Sequence, residues 1–194
     1  MRSSQLKTAC SIANALSYLH SKNIVFRDLK PANVGFDSHG VLKLFDFGLS
    51  IEVKEKSSLY EFSGTPRYMA PEVGLGRGYS LPVDVHSFGI LMWEILSLKQ
   101  PFGHVKSTSE FTKLVFHGGV RPKLARGWHQ CLKDVMSGCW CVEARKRLTM
   151  KIVAGVLGAH VREISLASQQ QNNNGSLRKS SMFRRLSGSL VKSL

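Results

Sequence analysis

The feature of this sequence that most constrains its fold is an apolar run from residue 82 to residue 98. A helix of this length would carry hydrophobic side chains nearly all round: Val83, Val85, Phe88, Ile90, Leu91, Trp93, Ile95 and Leu96. A helix that is apolar on every side has to be buried on every side. The run therefore predicts a central helix. Asp84, near its start, fits a buried position only if its carboxylate accepts hydrogen bonds from backbone N–H groups.

The remaining sequence predicts a mainly helical α+β domain followed by a tail. Hydrophobic spacing indicates amphipathic helices over residues 3 to 20, 108 to 117, 128 to 139 and 149 to 165. Short apolar runs at residues 24 to 26, 34 to 36 and 41 to 44 indicate a small β-hairpin region. A chain of 194 residues can bury a sizeable core in one domain. We expect that domain over residues 1 to 166 and a disordered polar and basic tail over residues 167 to 194.

A polar stretch, Phe26-Arg27-Asp28-Leu29-Lys30-Pro31-Ala32-Asn33, lies between the first two apolar runs, and Asp46 follows the third. These residue types suit phosphoryl transfer. Asp28 can accept a proton from a hydroxyl nucleophile, and Lys30 can neutralise charge on a migrating phosphoryl group. Asn33 and Asp46 can hold Mg²⁺ through the oxygen ligands that this ion prefers. Because both fall at neighbouring strand ends, we expect them to reach one metal ion.

Three further motifs follow in order: residues 64 to 72 (GTPRYMAPE), residues 84 to 89 (DVHSFG), and Cys139-Trp140 with Arg147. With the polar stretch and Asp46-Phe47-Gly48, they resemble the motifs of the eukaryotic protein kinase superfamily. A lysine directly after Asp28-Leu29, here Lys30, resembles the pattern of the serine/threonine kinases in this superfamily. The resemblance covers roughly residues 3 to 165, which corresponds to the large C-terminal lobe of a protein-kinase-like fold without the N-terminal β-lobe.

The resemblance implies a protein kinase that transfers the γ-phosphate of ATP, with Mg²⁺, to serine or threonine hydroxyls of protein substrates. Asp28, Lys30 and Thr65 would be the catalytic residues, with Thr65 hydrogen-bonded to Asp28. Lys30, Asn33 and Asp46 would bind the nucleotide. Asn33 and Asp46 would hold the metal.

The resemblance also implies structural and regulatory roles. Arg27 would pair with a phosphate on the activation segment, where the candidate acceptors are Ser57, Ser58, Tyr60 and Ser63. Glu72 would form a buried ion pair with Arg147. Asp84 would accept hydrogen bonds from the backbone of the catalytic loop, residues 26 to 33.

Three residues depart from the family pattern. Phe26 replaces a histidine that stacks beneath the aromatic residue of the Asp-Phe-Gly motif, so we expect an aromatic pair between Phe26 and Phe47, next to Gly48. Gly35 replaces a bulky apolar residue that forms the floor under the adenine ring, so we expect weaker adenine packing. His86 replaces a tryptophan, and we expect a hydrogen-bonded core residue there.

The apparatus of the small lobe does not precede Asp28 in this sequence. Residues 1 to 27 contain no Gly-x-Gly-x-x-Gly loop, and we identify there neither the strand lysine nor its helix glutamate. The chain is a fragment of a longer kinase, an incomplete gene model or a natural product without the small lobe. We expect it to be inactive alone. The alternative function is a non-catalytic, kinase-like module that binds a protein partner.

The net charge of +14 is partly concentrated in the tail, and the other basic residues lack aromatic interleaving, so nucleic acid is not an expected partner. Apolar tail residues fall near one face of a potential basic helix: Phe183, Leu186, Leu190 and Leu194. That pattern suits an acidic partner or an anionic membrane surface. We predict no transmembrane segment. Four cysteines without paired spacing favour a reducing, cytoplasmic location.

Overall fold

The computed structural model describes residues 3–54 and 57–190, and the side chains of residues 3–54 and 57–170. Within these ranges the protein is mainly helical, with two small antiparallel sheets. The chain divides into two compact units, Met1–Gly158 and Ala159–Leu194. The first unit contains every candidate site residue.

Apart from a short helix at Pro71–Gly74 that the sequence analysis does not predict, the helices lie where the hydrophobic pattern of the sequence places them. Their bounds are α1 Ser3–Ser21, α2 Pro71–Gly74, α3 Pro82–Ser97, α4 Thr108–Phe111, α5 Gln130–Cys139 and α6 Met150–Leu190. A π-helical segment, Thr112–His117, continues α4. Three short 3₁₀ turns lie at Pro31–Asn33, Phe47–Leu49 and Ala144–Lys146. The predicted helix over residues 108 to 117 is therefore helical throughout, but its second half has the wider π geometry.

Helix α3 lies at the centre of the first unit, as its composition predicts. Phe88, Ile90 and Met92 have no exposed surface. The helix packs against α1 on one side and α5 on another. At Gly89 a Cβ atom would lie 2.8 Å from the Cβ of Cys139, so a larger residue would force α3 and α5 apart. This close packing gives the catalytic loop a rigid base.

Two sheets of two strands complete the first unit. Strand β2 (Val34–Phe36) pairs antiparallel with β3 (Leu42–Leu44), and Gly35 lies opposite Lys43. The turn between them is closed by Asp37, whose Oδ1 accepts hydrogen bonds from the backbone N–H groups of His39 and Val41, both at 2.9 Å. This hairpin confirms the prediction for residues 34 to 44.

Strand β1 (Ile24–Val25) does not join that hairpin. It pairs antiparallel with β4 (Ile51–Glu52), a segment for which the sequence analysis predicts no strand. The pairing brings the segment after the Asp-Phe-Gly motif back against the start of the catalytic loop. Such a long-range contact has no local sequence pattern, which is why the periodicity of residues 46 to 54 does not reveal it.

Helix α6 runs further than the sequence predicts. Its backbone is helical to Leu190, whereas the prediction ends the helix near residue 165 and makes residues 167 to 194 a disordered tail. The last proline of the chain is Pro122, so no residue in this region lacks the N–H group that a helix needs. The tail side chains and residues 191–194 lie outside the described residues, so the apolar face including Phe183 and Leu194 stays a prediction.

A search of the described helices finds none that combines the length and the apolar character needed to cross a membrane.

Candidate active site

The catalytic loop is fixed to the central helix by Asp84. The backbone N–H groups of Phe26 and Arg27 donate to the two carboxylate oxygens of Asp84, at 2.7 and 2.9 Å. His20 Nε2 lies 3.0 Å from the same carboxylate, which has no exposed surface. Arg27 has a φ of 70°, a left-handed conformation that is unfavourable for a residue with a side chain. The two hydrogen bonds that the Asp84 carboxylate accepts from Phe26 and Arg27 hold that conformation, as the sequence predicts for a buried acid at this position.

Asp28 lies at the centre of a polar cluster. Its Oδ1 accepts a hydrogen bond from Thr65 Oγ1 at 2.7 Å, and its Oδ2 accepts one from Lys30 Nζ at 2.6 Å. Asn33 Nδ2 donates to the backbone oxygen of Asp28 at 2.8 Å and reaches Oδ2 at 3.2 Å. The structure therefore brings together four of the five residues that the sequence proposes as catalytic or nucleotide-binding.

The electrostatics of this cluster keep Asp28 ionised. Burial raises the pKa of its carboxyl, but hydrogen bonds from Lys30 and Thr65 and the charge of Lys30 outweigh burial and bring the pKa below its usual value. At neutral pH the group is a carboxylate with its lone pairs directed at hydrogen-bond donors. It can accept a bond from a further hydroxyl, which is what a substrate-orienting base has to do.

Gly64 allows Thr65 to come this close. Its φ of 107° is favourable only for glycine, and a Cβ atom at this position would overlap the backbone oxygen of Arg27. The chain of residues 63 to 66 therefore passes directly over the catalytic loop. A side chain at residue 64 would push Thr65 away from Asp28.

Asn33 and Asp46, the candidate metal ligands, lie at adjacent ends of the hairpin. Asn33 immediately precedes β2, and Asp46 follows β3 by two residues. The backbone N–H of Phe45 donates to the backbone oxygen of Asn33 at 2.9 Å, so the hydrogen bonds between β2 and β3 continue to the residues beside Asn33 and Asp46. Asn33 is buried and Asp46 is exposed, with a left-handed φ of 59°. An amide oxygen and a carboxylate suit Mg²⁺, so the donor set fits that ion.

The Asp-Phe-Gly segment is anchored by its aromatic residue. The rings of Phe26 and Phe47 have centroids 5.2 Å apart and planes at 79°, an edge-to-face pair. Phe26 is fully buried, whereas Phe47 is 49% exposed. Next to it, the N–H of Gly48 points to Asp46 Oδ1 at 3.4 Å. The predicted aromatic pair is thus confirmed.

Arg27 binds the segment after the Asp-Phe-Gly motif through Glu61, a residue to which the sequence analysis assigns no role. Its Nη1 donates to Glu61 Oε2 at 2.8 Å and lies 3.4 Å from the hydroxyl of Tyr79, and its Nε donates to the backbone oxygen of Leu49. The Tyr79 hydroxyl donates to the backbone oxygen of Glu61 at 2.9 Å. Burial lowers the pKa of Arg27, but the bonds with Tyr79 and Glu61 outweigh it and raise that pKa. The sequence does contain a signal for this contact, because Glu61 is an acidic residue that lies between the candidate phosphorylation sites Tyr60 and Ser63.

The ion pair between Glu72 and Arg147 is present and bidentate, with N···O distances of 2.6 and 2.8 Å. Arg147 also donates to the backbone oxygens of Cys141 at 2.9 Å and Pro82 at 3.0 Å, and its side chain has no exposed surface. It joins the segment after α5 to α2 and to the start of α3. These two residues support the fold and do not enter the polar cluster around Asp28.

His86 is a buried core residue with a hydrogen bond, as expected, but only one of its two ring nitrogens has a partner among the described residues. Its Nδ1 lies 3.4 Å from the backbone oxygen of Tyr68, but Nε2 is buried without a hydrogen-bond partner in the part of the chain that the structure describes. Burial and the positive charges of Arg147 and Arg121 hold the pKa of His86 well below its usual value. An imidazole in a position where the family carries a larger indole leaves one ring nitrogen unpaired.

Comparison with known proteins agrees with this arrangement of residues. The family model described as "Protein kinase domain" matches residues 2–155. A serine/threonine-protein kinase of Arabidopsis thaliana is 31% identical over 172 residues, which cover 89% of this chain and 30% of the relative. A putative serine/threonine-protein kinase/receptor of Acanthamoeba polyphaga mimivirus is 36% identical over 84% of this chain and 10% of its own length.

A shorter match is closer in sequence. A cGMP-dependent protein kinase of Toxoplasma gondii is 47% identical over 94 residues, which are 48% of this chain and 9% of the relative. This chain thus spans less than a third of each of these three relatives. The family match covers most of the chain and includes each residue of the polar cluster. This chain belongs to the protein kinase family.

Proposed function

We propose that this chain forms the large, C-terminal lobe of a serine/threonine protein kinase, which transfers the γ-phosphate of ATP to hydroxyls of protein substrates. The observation that carries the proposal is the convergence of Lys30, Thr65 and Asn33 on the carboxylate of Asp28. In phosphoryl transfer, catalysis is almost entirely positioning and electrostatic stabilisation, and this cluster offers both.

Each residue of the cluster has a distinct role in this proposal. Asp28 orients the substrate hydroxyl and accepts its proton, and Thr65 fixes the carboxylate in place. Lys30 supplies positive charge beside Asp28, where the transferring phosphoryl group would pass. Asn33 and Asp46 would hold Mg²⁺, which supplies charge neutralisation to the phosphates of ATP when bound.

The chain by itself should transfer phosphate poorly. Half of the positioning apparatus in the family is a Gly-rich loop and a strand lysine, and residues 1–27 carry no Gly-x-Gly-x-x-Gly loop. A positioned base contributes about 10²–10⁴-fold, and only when the γ-phosphate is held in line with the nucleophile. We expect the chain to bind Mg²⁺ and nucleotide weakly without useful turnover.

The test measures binding and turnover separately. Thermal unfolding of residues 1–194 is followed with and without millimolar Mg²⁺ and ATP, for the natural chain, for Asp46→Asn and for Asp134→Asn. Asp134 is an exposed acid on α5 and serves as the matched control. We expect stabilisation by mass action in the natural chain and in the control, and none in Asp46→Asn. Equal shifts in all three would mean that Asp46 is not a ligand.

Turnover is measured with radiolabelled ATP and a generic basic protein, beside an Asp28→Asn control. We expect no transfer above that control. Transfer above it would show that the chain holds ATP productively alone and would overturn the inactive-fragment part of the proposal, while supporting the kinase part.

A second candidate function is a non-catalytic, protein-binding module. The observation in its favour is a set of exposed apolar side chains beside the candidate active site: Phe36, Phe45, Phe47, Leu49 and Ile51. A chain that binds no Mg²⁺ or ATP, but binds a kinase small lobe supplied as a separate protein, would favour this function over catalysis.

Two further expectations concern the surroundings of the protein. The cytoplasmic location stays a prediction, and so does the binding of the basic tail to an acidic partner or an anionic membrane. Deleting residues 168–194 should abolish binding to anionic vesicles at low salt, if the tail is responsible. Binding that survives the deletion would move the site elsewhere.

A further inference from the structure

The hairpin of β2 and β3 carries an unusual packing of Phe45 on Gly35. A Cβ atom placed on Gly35 would lie 2.7 Å from Cε2 and 3.4 Å from Cζ of the Phe45 ring. The ring therefore occupies the space into which a side chain at residue 35 would project. Gly35 leaves this room, and Phe45 fills it from the neighbouring strand.

The register of the hairpin shows which face this ring covers. Gly35 lies opposite Lys43, and the backbone N–H of Phe45 bonds to the oxygen of Asn33. Because side chains alternate between the two faces of a strand, Asn33, Gly35 and Phe45 belong to the same face. Phe45 also directly precedes Asp46. The ring thus lies on the face that carries one candidate metal ligand and next in sequence to the other.

The ring is not a core residue. Phe45 is 48% exposed, although it packs on the backbone of Gly35. A flat aromatic surface that is half exposed beside a phosphate and metal site matches what a purine base needs, since a base packs on an aromatic face in a manner tolerant of its exact orientation.

We propose that Phe45 forms the apolar surface on which the adenine ring of ATP packs, in place of the side chain that Gly35 lacks. This inference rests on the proposed function. It replaces the expectation that Gly35 simply weakens adenine packing: the floor comes from the opposite strand of the hairpin. Phe45 is then a residue that selects for a nucleobase, while Asn33 and Asp46 act on the phosphate end of the same ligand.

Gly35 and Phe45 depend on each other in this arrangement. A leucine at residue 35 would collide with the Phe45 ring and displace it. Removing the ring in the same molecule would give the leucine room. The single change Gly35→Leu should therefore weaken base binding, and the double change Gly35→Leu with Phe45→Ala should restore part of it.

The experiment separates the base from the phosphates. NMR titrations, which detect millimolar affinities, measure the binding of Mg²⁺-ATP and of Mg²⁺-tripolyphosphate to the chain. Phe45→Ala should lower the affinity for Mg²⁺-ATP by roughly 5- to 150-fold, the range expected for losing one base–aromatic contact. Its affinity for Mg²⁺-tripolyphosphate should not change. The spectra of each variant also report whether it remains folded.

Phe36→Ala is the matched control. Phe36 is an exposed phenylalanine of the same hairpin, 58% exposed, and it lies on the opposite face from Gly35. Phe36→Ala should leave the affinities for Mg²⁺-ATP and for Mg²⁺-tripolyphosphate unchanged. If Phe45→Ala binds Mg²⁺-ATP as the natural chain does, or if Phe36→Ala loses as much affinity, the inference is overturned.

The outcomes also distinguish this inference from the proposed function. A natural chain that binds Mg²⁺-ATP no better than Mg²⁺-tripolyphosphate would overturn the inference and leave the proposed metal and phosphate site intact. A natural chain that binds neither would overturn both. A third outcome is that Phe45→Ala loses affinity but the double variant does not recover it. Phe45 would then still be the surface under the base, and only its proposed interdependence with Gly35 would be overturned.

Discussion

The two sides of the candidate active site are built differently. On the catalytic-loop side, Asp28 and Asp84 are buried and their carboxylates are hydrogen-bonded within the chain. On the hairpin side, the rings of Phe36, Phe45 and Phe47 are between 48% and 58% exposed. Buried polar groups with their partners in place hold one geometry whether or not a ligand is present. Exposed apolar rings gain free energy only when a ligand or partner covers them.

This difference separates two functions within one site. In the proposed function the catalytic-loop side would position the reacting groups, and Asp84 of α3 holds the backbone of that loop in place. The hairpin side offers binding surface, and its stability owes little to the rings themselves. Substitutions should therefore have opposite profiles on the two sides: large losses of stability at the supported polar groups, and small ones at the exposed rings. Among the rings, Phe45 should affect ligand affinity, whereas Phe36, on the opposite face of the hairpin, should affect only association with other protein surfaces.

The largest expected effect is at the buried ion pair that supports the catalytic side. Glu72→Gln leaves Arg147, whose side chain has no exposed surface, as an uncompensated buried charge. We expect the free energy of unfolding to fall by about 3–5 kcal/mol. Urea denaturation followed by circular dichroism measures it. The matched control is Glu143→Gln, which breaks exposed pairs with Arg145 and Lys146 and should change nothing measurable. Equal effects would show that burial does not set the difference.

The next effect is a dependence of stability on pH at His86. Its pKa is depressed in the folded state, so the folded protein keeps the imidazole neutral while the unfolded chain binds a proton below about pH 6.5. Stability should be complete above that pH and should fall by up to about 1.4 kcal/mol per pH unit below it. The test measures the denaturation midpoint from about pH 7.5 to about pH 5.5, roughly one unit on either side of the ordinary histidine pKa, and takes the slope of stability against pH.

Two substitutions assign that slope. His86→Phe removes the titrating group and the unpaired Nε2 and should reduce the slope, whereas His39→Gln changes an exposed histidine on the hairpin turn and should leave it unchanged. A slope that persists in His86→Phe would place the acid sensitivity in another group.

On the hairpin side the expected change in stability is smaller. Phe36→Lys replaces a ring that is 58% exposed, and the free energy of unfolding should change by less than about 0.5 kcal/mol. We expect the exposed apolar side chains to make the chain associate with itself at high concentration, and Phe36→Lys should weaken that association in sedimentation because it places a charge among them. Unchanged self-association, or a loss of stability like that of Glu72→Gln, would contradict the division between the two sides.

The last expected effect is a local one at Glu61, whose side chain forms an ion pair with Arg27. Glu61 is 74% exposed, so its ion pair should contribute under about 1 kcal/mol. Glu61→Gln should leave the denaturation midpoint nearly unchanged but increase amide hydrogen exchange at Leu59 and Tyr79, whose backbones pair. Exchange that stays the same would mean that the backbone bridge, and not the ion pair, holds the loop.

Several elements were accessible from the sequence because their signals are local or follow from chemistry. The apolar run marks α3 as central, since a helix without a polar face has one environment available to it. The spacing of Asp28, Lys30 and Asn33 within one loop indicates their convergence. The pair Glu72 and Arg147 follows from the family pattern, and the structure shows it as a bidentate pair.

Other features were decided by the tertiary structure alone. The pairing of β1 with β4, the bond from Arg27 to Glu61 and the packing of Phe45 on Gly35 join residues that are between 10 and 34 positions apart. No periodicity encodes such contacts, because each depends on the register and orientation of two segments at once. The sequence determines which residues are buried and which chemistry the loop can perform; which side chain fills the room left by a glycine is settled only when the strands pack together.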